Sequence, residues 1–209
     1  LTGCGRAQTP VIKVGFSAAL TGDQASQGQS MLHGAELAIR QAQAAGDIIP
    51  GYRVELVALD DQHSPTQAVA VAKKLVADAN VVAVVGHLNS NCTLPASAVY
   101  HQAQMLNISP VSSHPQISRQ GFNTFYRTCA TDDLQGPAAA RFAVKELKAA
   151  RIFILADRTT YGAGLAGEFG KAARVLGSEI VGHEGMTQGD KDFAPLLTKI
   201  KSLNPDLLY

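Results

Sequence analysis

The chain has 209 residues, a formal net charge of +1, and 46% hydrophobic against 17% charged residues. That length admits one large or two small domains, and the apolar content supports a buried core and excludes wholesale disorder. Near-neutral charge argues against a nucleic-acid partner. No apolar run approaches the ~20 residues of a membrane-spanning helix. Three cysteines without paired spacing exclude a disulfide scaffold and most zinc modules.

Leu1-Thr2-Gly3-Cys4 resembles the lipobox of bacterial lipoproteins, which makes Cys4 a candidate for lipidation and implies export with one end tethered to a membrane. Residues 1–10 read as a linker. Residues 11–16 form an apolar run of strand length, followed by a polar loop with Gly22 and Gly28. Met31, Ala35, Ala38 and Ala42 then recur at helical spacing up to Gly46, which is placed to end a helix. Residues 53–59 are a second strand. Ser64, Pro65 and Gln67 sign the start of the next helix, with Ala68, Ala72, Leu75, Val76 and Ala79 as its buried stripe. Residues 81–85 are a strand apolar throughout, as in parallel sheets covered on both faces.

A helix through Pro95 and Ala98, strands at 105–111 and 124–128, and a long helix opened by an Asp132–Gln135 capping pair come next. The pattern then restarts with a strand at 151–156, a helix at 161–176 ended by Gly177, and a strand at 178–181. A helix striped by Phe193, Leu196, Leu197, Ile200 and Leu203 and a strand at 206–209 complete it. The expectation is that the natural protein continues beyond that strand.

Strands alternating with helices mean parallel sheets with right-handed crossovers. The restart predicts two α/β lobes, 11–131 and 132–209, each a doubly wound parallel sheet, the second incomplete in this chain. In such sheets ligands sit at the carboxyl ends of strands. The loops there carry Ser90, Asn91 and Thr93, then Ser112 and Ser113, then Thr159 and Thr160 beside Tyr161. Hydroxyls at helix N-termini suit a small anion such as a carboxylate. Each alone reads as a helix cap, whereas three loops converging on one sheet edge read as a binding cleft.

Three catalytic or cofactor patterns compete with that reading. Gly162-Ala163-Gly164-Leu165-Ala166-Gly167 matches G-x-G-x-x-G with Glu184 ending the next strand, but five residues separate the preceding strand from its first glycine. A dinucleotide fingerprint needs that glycine in the tight turn itself. Gly15-Phe16-Ser17-Ala18-Ala19 approaches a nucleophile elbow without its last glycine, and a long polar loop follows it. The six histidines show no metal-ligand spacing, so no metal is expected, and His87 and His114 read as cleft helpers or buried structural groups. Cys92 and Cys129 fit either a disulfide or two separate thiols. The acid pairs Asp60-Asp61 and Asp132-Asp133 are explained by capping and solvation.

Val85-Gly86-His87-Leu88-Asn89-Ser90, Thr93 to Tyr100, Ile108 to Ser113, Arg127-Thr128 with Gln135-Gly136-Pro137, Tyr161 to Ala166 and Asp190 to Phe193 together resemble the leucine/isoleucine/valine-binding proteins. These are the substrate-binding components of amino-acid ABC importers. The resemblance implies a non-enzymatic periplasmic or extracytoplasmic binding protein, a monomer without cofactor, whose two lobes close by a hinge on a small amino acid, branched-chain or related, and present it to an ABC permease. It implies that Ser90, Ser113 and nearby backbone N–H groups hold the ligand carboxylate. Val111, beside Ser112, offers its carbonyl to the ammonium, Leu88 and Asn89 line the first-lobe wall, and Tyr161 approaches from the second lobe. His63 and Asn89 stand where some relatives have a cysteine pair, and Gln27 stands where relatives place an aromatic against the ligand side chain. The family's acid for the ligand ammonium falls beyond Tyr209, so residues 1–209 alone are expected to be poorly stable or to bind weakly. Two alternatives stay open: the same module as the sensing part of a receptor or regulator, and an NAD-dependent enzyme built on the Gly162 motif.

Overall fold

A computed structural model describes residues 9–46 and 48–209, so Cys4 and its neighbours lie outside the described residues. The chain divides into two compact units. The first runs to Ser112 and takes in Ile117–Thr128; the second comprises Ser113–Gln116 and Cys129–Tyr209.

The first unit follows the order β1 (Val11–Ala18), α1 (Ala25–Ala45), β2 (Arg53–Asp60), α2 (Pro65–Ala77), β3 (Val81–Gly86), α3 (Ser90–Gln102), β4 (Leu106–Ser109), the short α4 (Gln116–Arg119) and β5 (Phe125–Arg127). Its five strands pair in parallel in the order β2-β1-β3-β4-β5. The order reverses between β1 and β3, the switch point at which such sheets open a crevice beyond their carboxyl ends. Ala68, Val71, Ala72 and Leu75 of α2 pack with Cys92, Ala96 and Tyr100 of α3 over Val81 and Val84, forming one core on one sheet face. The right-handed crossover rule puts α1 on the other face. Ser64 caps α2 as expected, its hydroxyl accepting the Gln67 N–H at 3.4 Å with Pro65 in the first turn.

Several elements differ from the sequence expectation. Helix α1 begins at Ala25, so Gly28 is helical and the loop after β1 is shorter than expected. The helix start escapes detection because residues 24–30 are almost wholly polar. The demand on that turn is steric: a Cβ on Gly28 would stand 1.9 Å from the Ala19 carbonyl oxygen. Ala79 lies past the end of α2 and is exposed, and Val71 completes the buried stripe instead. Strand β4 stops at Ser109, because Pro110 has no N–H to donate and the Ser112 N–H turns back to Ser109 Oγ at 3.0 Å.

The second unit contains α5 (Asp132–Arg141), a π-helical turn (Phe142–Glu146), β6 (Arg151–Asp157), α6 (Thr160–Val175), β7 (Glu179–Met186), α7 (Ala194–Leu203) and β8 (Leu207–Leu208). Its strands are parallel in the order β7-β6-β8. Central β6 contributes the fully buried Ile152 and Ile154, which cluster with Ala140 of α5, Ala143 of the π-helical turn and Ala166, Phe169 and Ala173 of α6. The Tyr209 ring stacks on Phe169 with centroids 3.6 Å apart. Thr131, not Asp132, holds the N-cap position of α5, and Asp132 is its first residue. The long helix expected through Leu147 breaks into α5 and the π turn, and Phe142 and Leu147 are exposed rather than striping a core. Strand β7 runs eight residues, beyond the expected 178–181, and carries Glu184 inside it rather than at its end. Gly182 hides that strand from an apolar pattern, yet the Phe153 ring fills the place where a Cβ would sit. Asn204 ends α7 in the left-handed conformation at φ 46°.

Candidate functional site

In the first unit, the loops after β1, β2, β3 and β4 meet at the carboxyl edge of the sheet. Two adjacent carboxylates fasten the first two. Asp60 accepts from the Leu20 N–H at 2.8 Å, the Thr21 hydroxyl at 2.5 Å and the Gln62 N–H at 2.8 Å. Burial pushes the Asp60 carboxyl up, but these hydrogen bonds, led by Thr21, outweigh it and hold the group below the usual carboxylate range. Asp61 is fully buried and accepts the His63 N–H at 3.0 Å.

His87 is fully buried beside the switch point. Its Nδ1 lies 2.7 Å from Asp61 Oδ2 and 3.1 Å from Ser17 Oγ, and its Nε2 lies 3.1 Å from the Tyr100 hydroxyl. Ser17, Asp61 and His87 thus share a buried network closed off from solvent, which leaves Ser17 no access to a substrate. Burial and the negative Asp61 push the Cys92 thiol and the Tyr100 phenol well above their ordinary values. Gly86, at φ 139°, has its Cα so near β1 that a Cβ would fall 2.2 Å from the Ser17 carbonyl oxygen.

The His87 carbonyl collects hydroxyl donors from Ser109 at 2.9 Å and Ser112 at 3.1 Å. Ser112 Oγ also lies 2.6 Å from Thr93 Oγ1 and 3.1 Å from the Leu88 carbonyl. The Ser112 hydroxyl is therefore engaged on the protein side, tying the β4 loop to the β3–α3 loop. Arg127 completes the tie by donating to the Ser112 carbonyl at 2.9 Å.

This bracing fixes the start of α3. Leu88 and Asn89 are half-buried, and Ser90, the first helical residue, is 2% exposed. Asn89 occupies the N-cap position without a side-chain cap bond; its Nδ2 donates to Gln24 Oε1 at 2.6 Å. Gln24 was not singled out from the sequence, because nothing in a polar loop distinguishes it from Gln27. Gln27 lies in the first turn of α1 and is exposed. Val111 is 42% exposed, with its neighbour Ser112 buried.

The second unit carries the other expected residues. Ser113 is 2% exposed, and its hydroxyl is buried with no partner among the described residues. The Ser113 carbonyl accepts the N–H of the fully buried Asp132 at 3.0 Å. Tyr161 stands in the first turn of α6, 45% exposed; burial, then the charges of Asp132 and Asp157, push its phenol up. Thr159 caps that helix through the Gly162 N–H at 3.0 Å.

The Gly162 motif is not a dinucleotide turn. All three of its glycines lie inside α6, and the β6–α6 turn is Arg158 and Thr159. Gly162 and Gly164 allow close packing instead: a Cβ on the first would collide with Asp157 Oδ1, and one on the second with the His114 ring. Cys92 and Cys129 form no disulfide. Among the described residues no group of His, Cys, Asp and Glu is arranged to hold a metal ion, and no helix is long and apolar enough to cross a membrane.

Residues 11–209 match the family described as Periplasmic binding protein. The chain is 40% identical over 198 residues to an amino acid binding protein of Pseudomonas aeruginosa, covering 95% of this chain and 53% of the relative. It is 38% identical, with the same coverage, to Leu/Ile/Val-binding protein homolog 1 of Brucella abortus. Among solved structures it is similar to the leucine binding protein LivK from Thermotoga maritima, with a TM-score of 0.86, 29% identity, and 95% and 55% of the two chains covered. The isoleucine complex of LivJ from Streptococcus pneumoniae gives a TM-score of 0.86 at 30% identity, covering 95% and 56%. The chain spans about half the length of the curated relatives it matches. Its α/β units with parallel sheets are those of the periplasmic-binding-protein fold, and the chain belongs to the periplasmic binding protein family.

Proposed function

We propose that this chain is part of an extracytoplasmic solute-binding protein that captures a small amino acid, branched-chain or related, and delivers it to an ABC permease. The observation that carries the reading is the braced N-terminus of α3 at the switch point. There the buried Ser90, the first N–H groups of α3 and the half-buried Leu88 and Asn89 lie at the carboxyl end of β3, next to the switch point. The similar structures, which include a leucine binding protein and an isoleucine complex, support the ligand class.

In this reading residues 11–131 and 132–209 belong to two ligand-binding lobes. Ser90 and Ser113 hold the carboxylate, and the Ser113 hydroxyl, buried with no partner among the described residues, supports its share of that role. Val111 supplies a carbonyl to the ammonium, Ser112 positions the loop, and Tyr161 comes from the second lobe. Cys4 is the lipidation site that would tether the protein. Neutral hydroxyls and a helix terminus stabilise a carboxylate without adding formal charge to the site.

A thermal-shift screen of the protein as encoded, against amino acids and NAD, tests the reading. A ligand at 100 times its Kd raises stability by about 2.7 kcal/mol, which a melting curve resolves. Amino acids are expected to shift the midpoint, and the Ser90→Ala and Ser113→Ala variants to lose that shift. A response to NAD alone would contradict the reading.

A further inference from the structure

We propose that the outer face of the α5–α6 pair is a two-fold docking surface for a second copy of this chain, the exposed Val175 of each copy entering the groove of the other. The inference concerns the second unit alone and does not depend on which ligand the protein binds.

One face of α6 belongs to the core: Ala166, Phe169 and Ala173 are buried in the cluster with Ile152 and Ile154. Glu168, Lys171, Ala172 and Val175 recur at helical spacing on another face. With Leu176, and with Pro137 and Arg141 one turn apart on α5, they line a groove of about 380 Å³. Val175 is 87% exposed, more than any other large hydrophobic side chain among the described residues. Leu134, one turn before Pro137, is also exposed, so the apolar surface continues along α5. A continuous exposed apolar surface of this kind marks an interaction site.

The chemistry of the patch points to a second copy as the occupant. The patch holds an apolar projection beside an apolar recess. It also holds a cation on the α5 wall, Arg141, and an anion on the α6 wall, Glu168. A two-fold interface uses the same patch on both molecules and therefore demands such self-complementarity. An axis over the groove sets each Val175 into the opposing recess and each Arg141 against Glu168 of the other copy. Glu168 Oε1 accepts from the Lys171 ammonium at 2.8 Å, which leaves its second oxygen for the guanidinium. A net charge of +1 leaves little long-range repulsion between copies.

Sedimentation equilibrium of the protein as encoded is expected to show monomers in equilibrium with dimers. Val175→Lys places a cation in the last turn of α6, where the helix favours one, and should leave the melting midpoint of the monomer unchanged. It is expected to weaken dimerisation at least about tenfold. Arg141→Glu and Glu168→Arg each set like charges against each other at both contacts, so each variant alone is expected to be monomeric. Mixing the two variants makes both contacts opposite in charge again and is expected to restore a dimer, which damaged folding would not do. A monomer at every concentration, as the family resemblance implies, would overturn the inference. So would a dimer that survives Val175→Lys, or a mixture of the charge variants that stays monomeric. All three results would leave the ligand-binding reading standing.

Discussion

The imidazole of His87 has partners on three elements: Ser17 on β1, Asp61 after β2 and Tyr100 on α3. All four side chains are fully buried, so each hydrogen bond replaces water that cannot reach it. Replacing His87 by Phe keeps the ring and strands Asp61, Ser17 and Tyr100 together. The expected cost is about 3–5 kcal/mol in urea unfolding, the range for removing one partner of a buried pair. A loss below 1 kcal/mol would mean the network does not hold the carboxyl edge. At this scale the sequence was informative about residue types and poor about their assignments. It marked His87 as a helper or a buried structural group, and the structure places it in the second class. It marked Ser112 with Ser113, but a hydroxyl spent on a neighbouring carbonyl and one left unspent look identical in a string of residues. Gln24 carried no signal, since its role depends on Asn89, 65 positions away.

Loops, more than helices or strands, position the site at the next scale. The β1–α1 loop carries Gln24 and is held by the Asp60 carboxylate through Leu20 and Thr21. The Asp60 pKa is lowered in the folded state from 3.8, so the carboxylate contributes stability that is full above that value. It is lost as pH falls through the lower folded value. Melting midpoints measured from pH 7 downward should fall more steeply in the wild type than in Asp60→Asn below about pH 4. Parallel curves for the two proteins would show that the clamp does not contribute. Elements with physical signatures were legible: the Ser64-Pro65-Gln67 start of α2 forms as read. Elements whose cause is tertiary were not. Helix α1 starts in a polar stretch because Gly28 seats its backbone against Ala19, and β7 extends through two glycines because Phe153 occupies the side-chain place of Gly182 and Arg158 that of Gly185.

Over the whole chain, the alternation of strands and helices and its restart lead to two parallel sheets in two compact units. Strand order is what converts this architecture into a binding site. The reversal between β1 and β3 gathers residues far apart in sequence at one edge, and the hydroxyl and amide groups there are rigidly braced. Fold class was legible because period and turn chemistry agree along the chain; sheet order was not, since right-handed crossovers are compatible with more than one strand order. The most direct test is isothermal titration calorimetry of the protein as encoded, with its best amino-acid ligand, in wild-type and Ser90→Ala forms. The account predicts one-to-one binding that Ser90→Ala weakens by at least about tenfold, the worth of one charge-assisted hydrogen bond. Equal affinity in the two proteins would contradict the claim that the start of α3 holds the ligand.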